Sequence, residues 1–220
     1  VKYPIATFWW LWLPAVVMAV QIALEIFLDQ SVLAVLHSEN GPHELLQFAV
    51  LLTAFIMALK CMISCFRIGN YHLLAWIFLA AAGCFYVAGE EISWGQQFFG
   101  WATPELWSMY NDQNETNLHN TSSWLDQKPR LLLLAGVIIG GLLIPLLRKL
   151  KPSISNLRVA EIFPPDELWV IAAVTVIIKI ADKIGEHSGL ILFERASEVE
   201  ELYLYYFISL YIYSLCRKSL

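Results

Sequence analysis

Leu168-Trp-Val-Ile-Ala-Ala-Val-Thr-Val-Ile-Ile-Lys-Ile-Ala-Asp-Lys-Ile-Gly-Glu-His187 decides how the rest of the chain is read. Its first half is apolar enough for lipid, whereas its second half carries Lys179, Asp182, Lys183, Glu186 and His187. An Asp or Lys near a bilayer centre costs about 2.5 to 3.5 kcal/mol, so such residues pair, face a wet cavity or carry the function. With roughly 3.6 residues per turn, Lys179, Asp182 and Glu186 form one stripe, with Lys183 and His187 beside it.

The surrounding sequence calls for the same solvent. Of 220 residues, 58% are hydrophobic and 15% charged, with a mean hydropathy of +0.59, outside the balance of a soluble domain. A spanning helix needs about 20 mostly apolar residues. Stretches that approach this run from Ile5 to Leu28, Leu45 to Phe66, Tyr71 to Glu91, Leu131 to Leu147, Leu168 to His187 and Glu201 to Cys216. The expected fold is all-α, one integral membrane domain over residues 1–220. It is a polytopic helical bundle of about six transmembrane helices, with a Trp-rich interfacial loop at about 92–128 between helices 3 and 4. A net charge of -5 and the lack of a basic stripe exclude a nucleic-acid partner.

Lys and Arg set the orientation, because short loops rich in them stay cytoplasmic. Lys2, Lys60, Arg67, Arg148, Lys149, Lys151, Arg158, Arg217 and Lys218 fall on one side, and the opposite connections are acidic. Both termini are therefore expected in the cytoplasm. Lys128, Arg130, Lys183 and Arg195 run against the pattern. The first apolar stretch is too long for a cleaved signal and is expected to remain as a span. Cys61, Cys65, Cys84 and Cys216 lie within spans or near the cytoplasmic end, so no disulfide is expected.

The long connection carries Trp94, Trp101, Trp107 and Trp124, whose rings favour the headgroup boundary. Within it Thr103-Pro104-Glu105 reads as a helix start with Thr as cap. Asn111-Asp-Gln-Asn-Glu-Thr-Asn-Leu-His-Asn120 is either a ligand-contacting segment or a solvated turn.

Chemistry is expected where the outer ends of the spans meet. If the third span continues as a helix, Glu90, Trp94 and Gln97 share a face and Glu91 points about 100 degrees away. Glu198 and Glu201 open the last span, Glu44 and Gln47 the second, and Glu25 lies near the outer end of the first. Carboxylates gathered in a poorly solvated site need compensation. Lys179 and Lys183 as counter-ions, a bound cation, or retained protons each supply it. In the catalytic version Glu90, Glu91, Asp182 and Glu186 act as acids and bases, and Trp94, Gln97, Lys179, Lys183 and Asn117 hold the substrate. A divalent metal ion, if one serves, would take His119, His187 and Glu201 as ligands.

At Gly89-Glu-Glu-Ile-Ser-Trp-Gly-Gln-Gln-Phe-Phe-Gly-Trp-Ala-Thr-Pro-Glu105, and again at Asn114-Glu-Thr-Asn-Leu-His-Asn120, the chain resembles a group of uncharacterised bacterial polytopic membrane proteins. The match is looser at Arg195-Ala-Ser-Glu-Val-Glu-Glu-Leu-Tyr203. The resemblance implies a bacterial inner membrane and no particular activity. The alkaline ceramidase and progestin-receptor-like hydrolase superfamily also places a metal among membrane helices. This chain lacks its paired histidines on a late helix, so neither its zinc ligands nor its amidase activity is carried over.

The leading expectation is a membrane protein with an outward-facing Glu/Asp/His pocket, a metal-assisted hydrolase or transferase acting on a lipid or amphipathic substrate. A non-enzymatic accessory subunit of a larger membrane complex and a proton- or cation-coupled carrier are the alternatives from other classes.

Overall fold

The computed structural model describes residues 4–38, 41–111, 114–189 and 192–219, without the side chains of Gln97, His119, Ser123, Leu125, Asp126 and Ser219. No strand occurs among the described residues. Helix α1 (Leu13–Phe27) continues out of a π-helical turn at Phe8–Trp12, followed by α2 (Gln30–Leu36), α3 (Pro42–Arg67) and α4 (Tyr71–Glu91). Two single-turn helices, α5 (Gln96–Phe99) and α6 (Glu105–Ser108), lead to α7 (Ser123–Ile138). A second π-helical turn at Ile139–Leu143 carries α7 into α8 (Ile144–Leu150), and α9 (Trp169–Ser188) and α10 (Ala196–Ser219) complete the order.

Four stretches, Phe8–Phe27, Pro42–Arg67, Tyr71–Glu91 and Gln127–Leu150, are long and apolar enough to cross a membrane. The chain thus has the build of an integral membrane protein. Helices α9 and α10 fall outside that set for separate reasons. The first carries Lys179, Asp182, Lys183 and Glu186, and the second carries Glu198, Glu200 and Glu201 followed by five tyrosines.

Both π-helical turns end two residues before a proline, Pro14 in one case and Pro145 in the other. A proline inside a helix has no N–H to donate, and its ring crowds the carbonyl one turn back, so the helix widens there. In the π register Pro14 is the residue that would bond the Trp9 carbonyl, and the Tyr206 hydroxyl donates to that carbonyl instead.

Helix α10 is the centre of the bundle. Val199, Leu204, Ile212 and Leu215 are fully enclosed, and α3 and α9 pack along it. Its hydroxyls would be costly in such surroundings without acceptors. Tyr203 donates to the Pro14 carbonyl at 2.7 Å, Ser209 to the Val50 carbonyl at 3.0 Å and Tyr211 to the Ile162 carbonyl, while Trp76 Nε1 donates to Tyr211 Oη at 2.6 Å. These bonds explain how so polar a helix occupies the middle.

Gly140 and Gly141 set the approach of the α7–α8 rod to α9 and α10. A Cβ on Gly141 would lie 2.4 Å from Ala172 Cβ and 2.9 Å from the Phe207 ring. We expect Gly141→Ala to lower stability by about 1–3 kcal/mol, read as a lower thermal midpoint in detergent. Gly136→Ala, with nothing within 4 Å of the added carbon, is the control that should leave the midpoint near wild type.

The end of the bundle holding Pro4 and Lys218 is basic. Arg148 pairs with Asp166 and donates to the Pro164 carbonyl. Lys218 reaches the carbonyls of Glu161 and Phe163, and Arg217 that of Pro4. The opposite end, where α1, α4 and α9 finish and α3, α7 and α10 begin, gathers the carboxylates.

Candidate functional site

The first assembly at that end is a knot between the α4 terminus and the 111–121 segment. Helix α4 stops at Glu91 because Ser93, Trp94 and Gly95 all have positive φ, 47°, 57° and 98°, which a right-handed helix cannot continue through. The turn folds the Trp94 indole back over Gly89, where a Cβ would meet the ring at 2.8 Å. Trp94 Nε1 then donates to Glu90 Oε1 at 2.7 Å, and the Leu118 backbone N–H donates to Glu90 Oε2 at 2.6 Å. Glu90 is therefore a clasp between α4 and the loop.

The same segment closes on itself through buried amides. Glu115 Oε2 accepts from Ser93 Oγ and Asn117 Nδ2, both at 2.7 Å, and Asn111 Nδ2 donates to Asn117 Oδ1 at 2.8 Å. Gln96 Oε1 accepts from the Thr116 N–H and hydroxyl at 2.7 and 2.6 Å. The stretch after the α4 terminus and the 114–120 segment are thus one hydrogen-bonded unit. Thr103 does not cap α6: its hydroxyl donates to the Asn114 carbonyl, and Pro104 occupies the cap position. Because Gln offers one acceptor where Glu offers two, Glu90→Gln should cost about 1–3 kcal/mol. The expected readout is faster proteolytic cleavage within 111–122, with α3 and α4 still intact.

The second assembly lies beneath it, between α3, α4, α7 and α10. Glu91 points into the bundle and accepts from Tyr205 Oη at 2.9 Å. Glu201, Glu198 and Glu44 are the like charges that bear on it. Arg130 from α7 brings the compensating cation, with a guanidinium nitrogen 2.7 Å from Glu201 Oε1. Gln47 Nε2 donates to the Glu198 carbonyl at 3.0 Å and reaches its carboxylate at 3.4 Å.

The third is a cleft of about 460 Å³ walled by α7, α9 and the start of α10. At its inner end Lys179 Nζ lies 2.9 Å from Glu200 Oε2 and 3.8 Å from Asp182 Oδ2. Glu200 is 1% exposed, and its Oε1 has no hydrogen-bond partner among the described residues. Nearer the mouth stand Lys183, bonded to Glu186 at 2.7 Å, and Arg195, 3.8 Å from Glu198. A shallower groove of about 500 Å³ on the outer face of α9 shares Lys179 and Lys183 with this cleft and adds Ile180, Ile184, His187 and Ser188.

A fourth polar cluster joins α1, α2 and α3. Gln21 donates to Glu25 Oε1 at 2.8 Å and pairs with His43 Nε2 at 3.0 Å, and the His37 and His43 rings lie 4.5 Å apart. Its place at the helix junction makes it a fastener.

Several expectations change against this geometry. Glu90, Trp94 and Asn117 are engaged in the loop knot and line neither groove nor cleft; the helical continuation that would have put Glu90, Trp94 and Gln97 on one face is broken at Ser93. The side chains of Gln97 and His119 lie outside the described residues. Glu186 is about half exposed in its pair with Lys183, at the rim of the cleft and apart from Glu91. His187 lies on the outer groove with Nδ1 against the Lys183 carbonyl, whereas Glu201 is inside against Arg130. His187 and Glu201 therefore do not share a metal site. Among the described residues no three His, Cys, Asp or Glu side chains are placed to hold a metal ion.

Asp182, Lys179 and Lys183 do meet at the cleft, and Glu201 acts on Glu91 as a neighbouring like charge. Sequence reasoning missed Glu200 and Arg130, the two partners that complete these pairs. A signal for one of them was present. Of the four cations that violate the charge asymmetry, Arg130, Lys183 and Arg195 line the cleft; a cation on the acidic side is there for a local partner.

Comparison of the chain with protein-family models, with curated proteins and with solved structures finds no match.

Proposed function

We propose that this protein is an integral membrane enzyme of the bacterial inner membrane that takes the head group of a lipid or amphipathic molecule into the α7–α9–α10 cleft for hydrolysis or group transfer. Helices α9 and α10 complete a six-span bundle with both termini cytoplasmic, so the cleft faces outward. The charge asymmetry of the loops supports that orientation.

The observation that carries the reading is that a charged cleft and an apolar groove share Lys179 and Lys183. A head group needs convergent polar side chains, and its chain needs an apolar wall that opens to lipid. Ile180 and Ile184, both more than half exposed, offer that wall. Asp182 and Glu198 present carboxylates to the cleft and would accept a proton from the attacking water or hydroxyl. Lys183 and Arg195 would stabilise the negative charge that develops on the group under attack.

The test is turnover and lipid retention in the purified full chain. Ser197→Trp, which fills the cleft, should strip the co-purifying lipid found by mass spectrometry. Asp182→Asn and Glu198→Gln should retain lipid yet slow product release from a radiolabelled phospholipid extract by about 100-fold. Wild-type turnover in both carboxamide variants, or equal lipid content in Ser197→Trp, would overturn the reading.

A further inference from the structure

We infer that the inner end of the cleft is a subsite for a primary ammonium group, so that the ligand is a lipid with an ammonium–phosphate head group. The inference rests on the lipid-binding reading above and names its substrate class.

A carboxylate is an acceptor-only group with several lone pairs to fill, and leaving one oxygen unbonded in a shielded position is unfavourable. Glu200 is almost wholly enclosed and forms part of the cleft wall, and its Oε1 has no protein donor among the described residues. Lys179 serves Glu200 Oε2 and, more loosely, Asp182. One ammonium thus serves two carboxylates, and a second ammonium would fill the vacant acceptor and balance the charge. Arg130 on the facing helix pairs with Glu201, and Glu200 Oε1 accepts no hydrogen bond from it among the described residues.

The order of chemistry along the cleft extends this. Outward from Glu200 come Lys183 and Arg195, whose pairs are solvent-exposed or long, at 3.8 Å for Arg195 with Glu198. Exposed pairs of this kind contribute little, so a phosphate can take these cations at small cost and gain charge-assisted bonds. Beyond Lys183 lie Ile180 and Ile184 on the exposed outer side of α9. Ammonium, phosphate and hydrocarbon in that sequence is the covalent order of an aminoethyl phospholipid. A trimethylated head group carries the charge without N–H donors, and a glycerol head group has no cation.

The delipidated full chain is titrated in detergent with phosphatidylethanolamine, phosphatidylcholine and phosphatidylglycerol of identical acyl chains, and with soluble phosphoethanolamine, by native mass spectrometry. Phosphatidylethanolamine is expected to bind at least about tenfold more tightly than the other two lipids, the range of a hydrogen bond to a charged group. Glu200→Gln should erase that preference, and Glu105→Gln, on the distant α6, should keep it. If Glu200→Gln does not fold, Asp182→Asn should narrow the preference, and the wild-type ranking stands without either variant. Equal binding of the three lipids would overturn the ammonium subsite and leave lipid binding intact. Binding of none would overturn both. Soluble phosphoethanolamine binding as tightly as the lipid would overturn the amphipathic class.

Discussion

Arg130→Met is expected to lower stability by about 3–5 kcal/mol, the range for removing one partner of a shielded ion pair. Arg130 holds Glu201 at 2.7 Å, and Glu201 stands with Glu91, Glu198 and Glu44 as mutually repelling carboxylates. Methionine retains the volume and removes the cation. The remaining carboxylates must then take up protons or water, and α7 loses a polar tie to α10. Unfolding in bicelles, followed by Trp fluorescence, gives the number. Adding Glu201→Gln in the same chain should recover more than half of the loss, because the stranded charge is removed with its partner. If the double variant is as unstable as the sum of the singles, Arg130 acts through packing alone.

Lys179→Leu is expected to have an effect of the same size for a related reason. Lys179 is about a quarter exposed, but the group it neutralises, Glu200, is 1% exposed. The loss arises from the charge left behind, so Lys179→Leu with Glu200→Leu should be close to wild type in stability, as apolar replacements of shielded ion pairs often are. That rescued protein would lack the proposed inner subsite and should bind phosphatidylethanolamine no more tightly than the other two lipids. A stable Lys179→Leu variant with wild-type lipid binding would show that the pair neither holds α9 to α10 nor shapes the cleft.

Much of the architecture is legible in the chain because lipid imposes a simple rule: a helix of about 20 apolar residues or none. The stretches near Leu45–Phe66 and Tyr71–Glu91 follow that rule, and the structure begins and ends the latter at those residues. The stripe of Lys179 and Asp182 on α9 is also legible, since helical periodicity fixes which side chains neighbour each other. Periodicity fails at Trp94. Its indole reaches Glu90 one turn back, but it arrives through a left-handed turn that Ser93 and Trp94 adopt against their own steric preference. No spacing rule foretells such a turn.

Partners contributed by another helix are equally hidden. Glu200 reads as one more acid in Glu198-Val-Glu-Glu201 until α9 is laid beside it, and Arg130 reads as a topological inconsistency until Glu201 is opposite. The central place of α10 could not be read from hydropathy at all. Its tyrosines lower its apolar score, and they are the residues that tie it to the carbonyls of the flanking segments.

Photo-crosslinking from inside the cleft tests the central claim most directly, the claim that charged side chains of α7, α9 and α10 enclose a chamber that a lipid head group enters. A small aliphatic diazirine side chain is placed at Ser197, on the cleft wall, and separately at Ile184, on the outer groove of α9, in native membranes. The account predicts phospholipid adducts from both, joined at the head-group end for Ser197 and at the acyl chain for Ile184. Acyl-chain adducts from Ile184 together with only protein or water capture at Ser197 would contradict it.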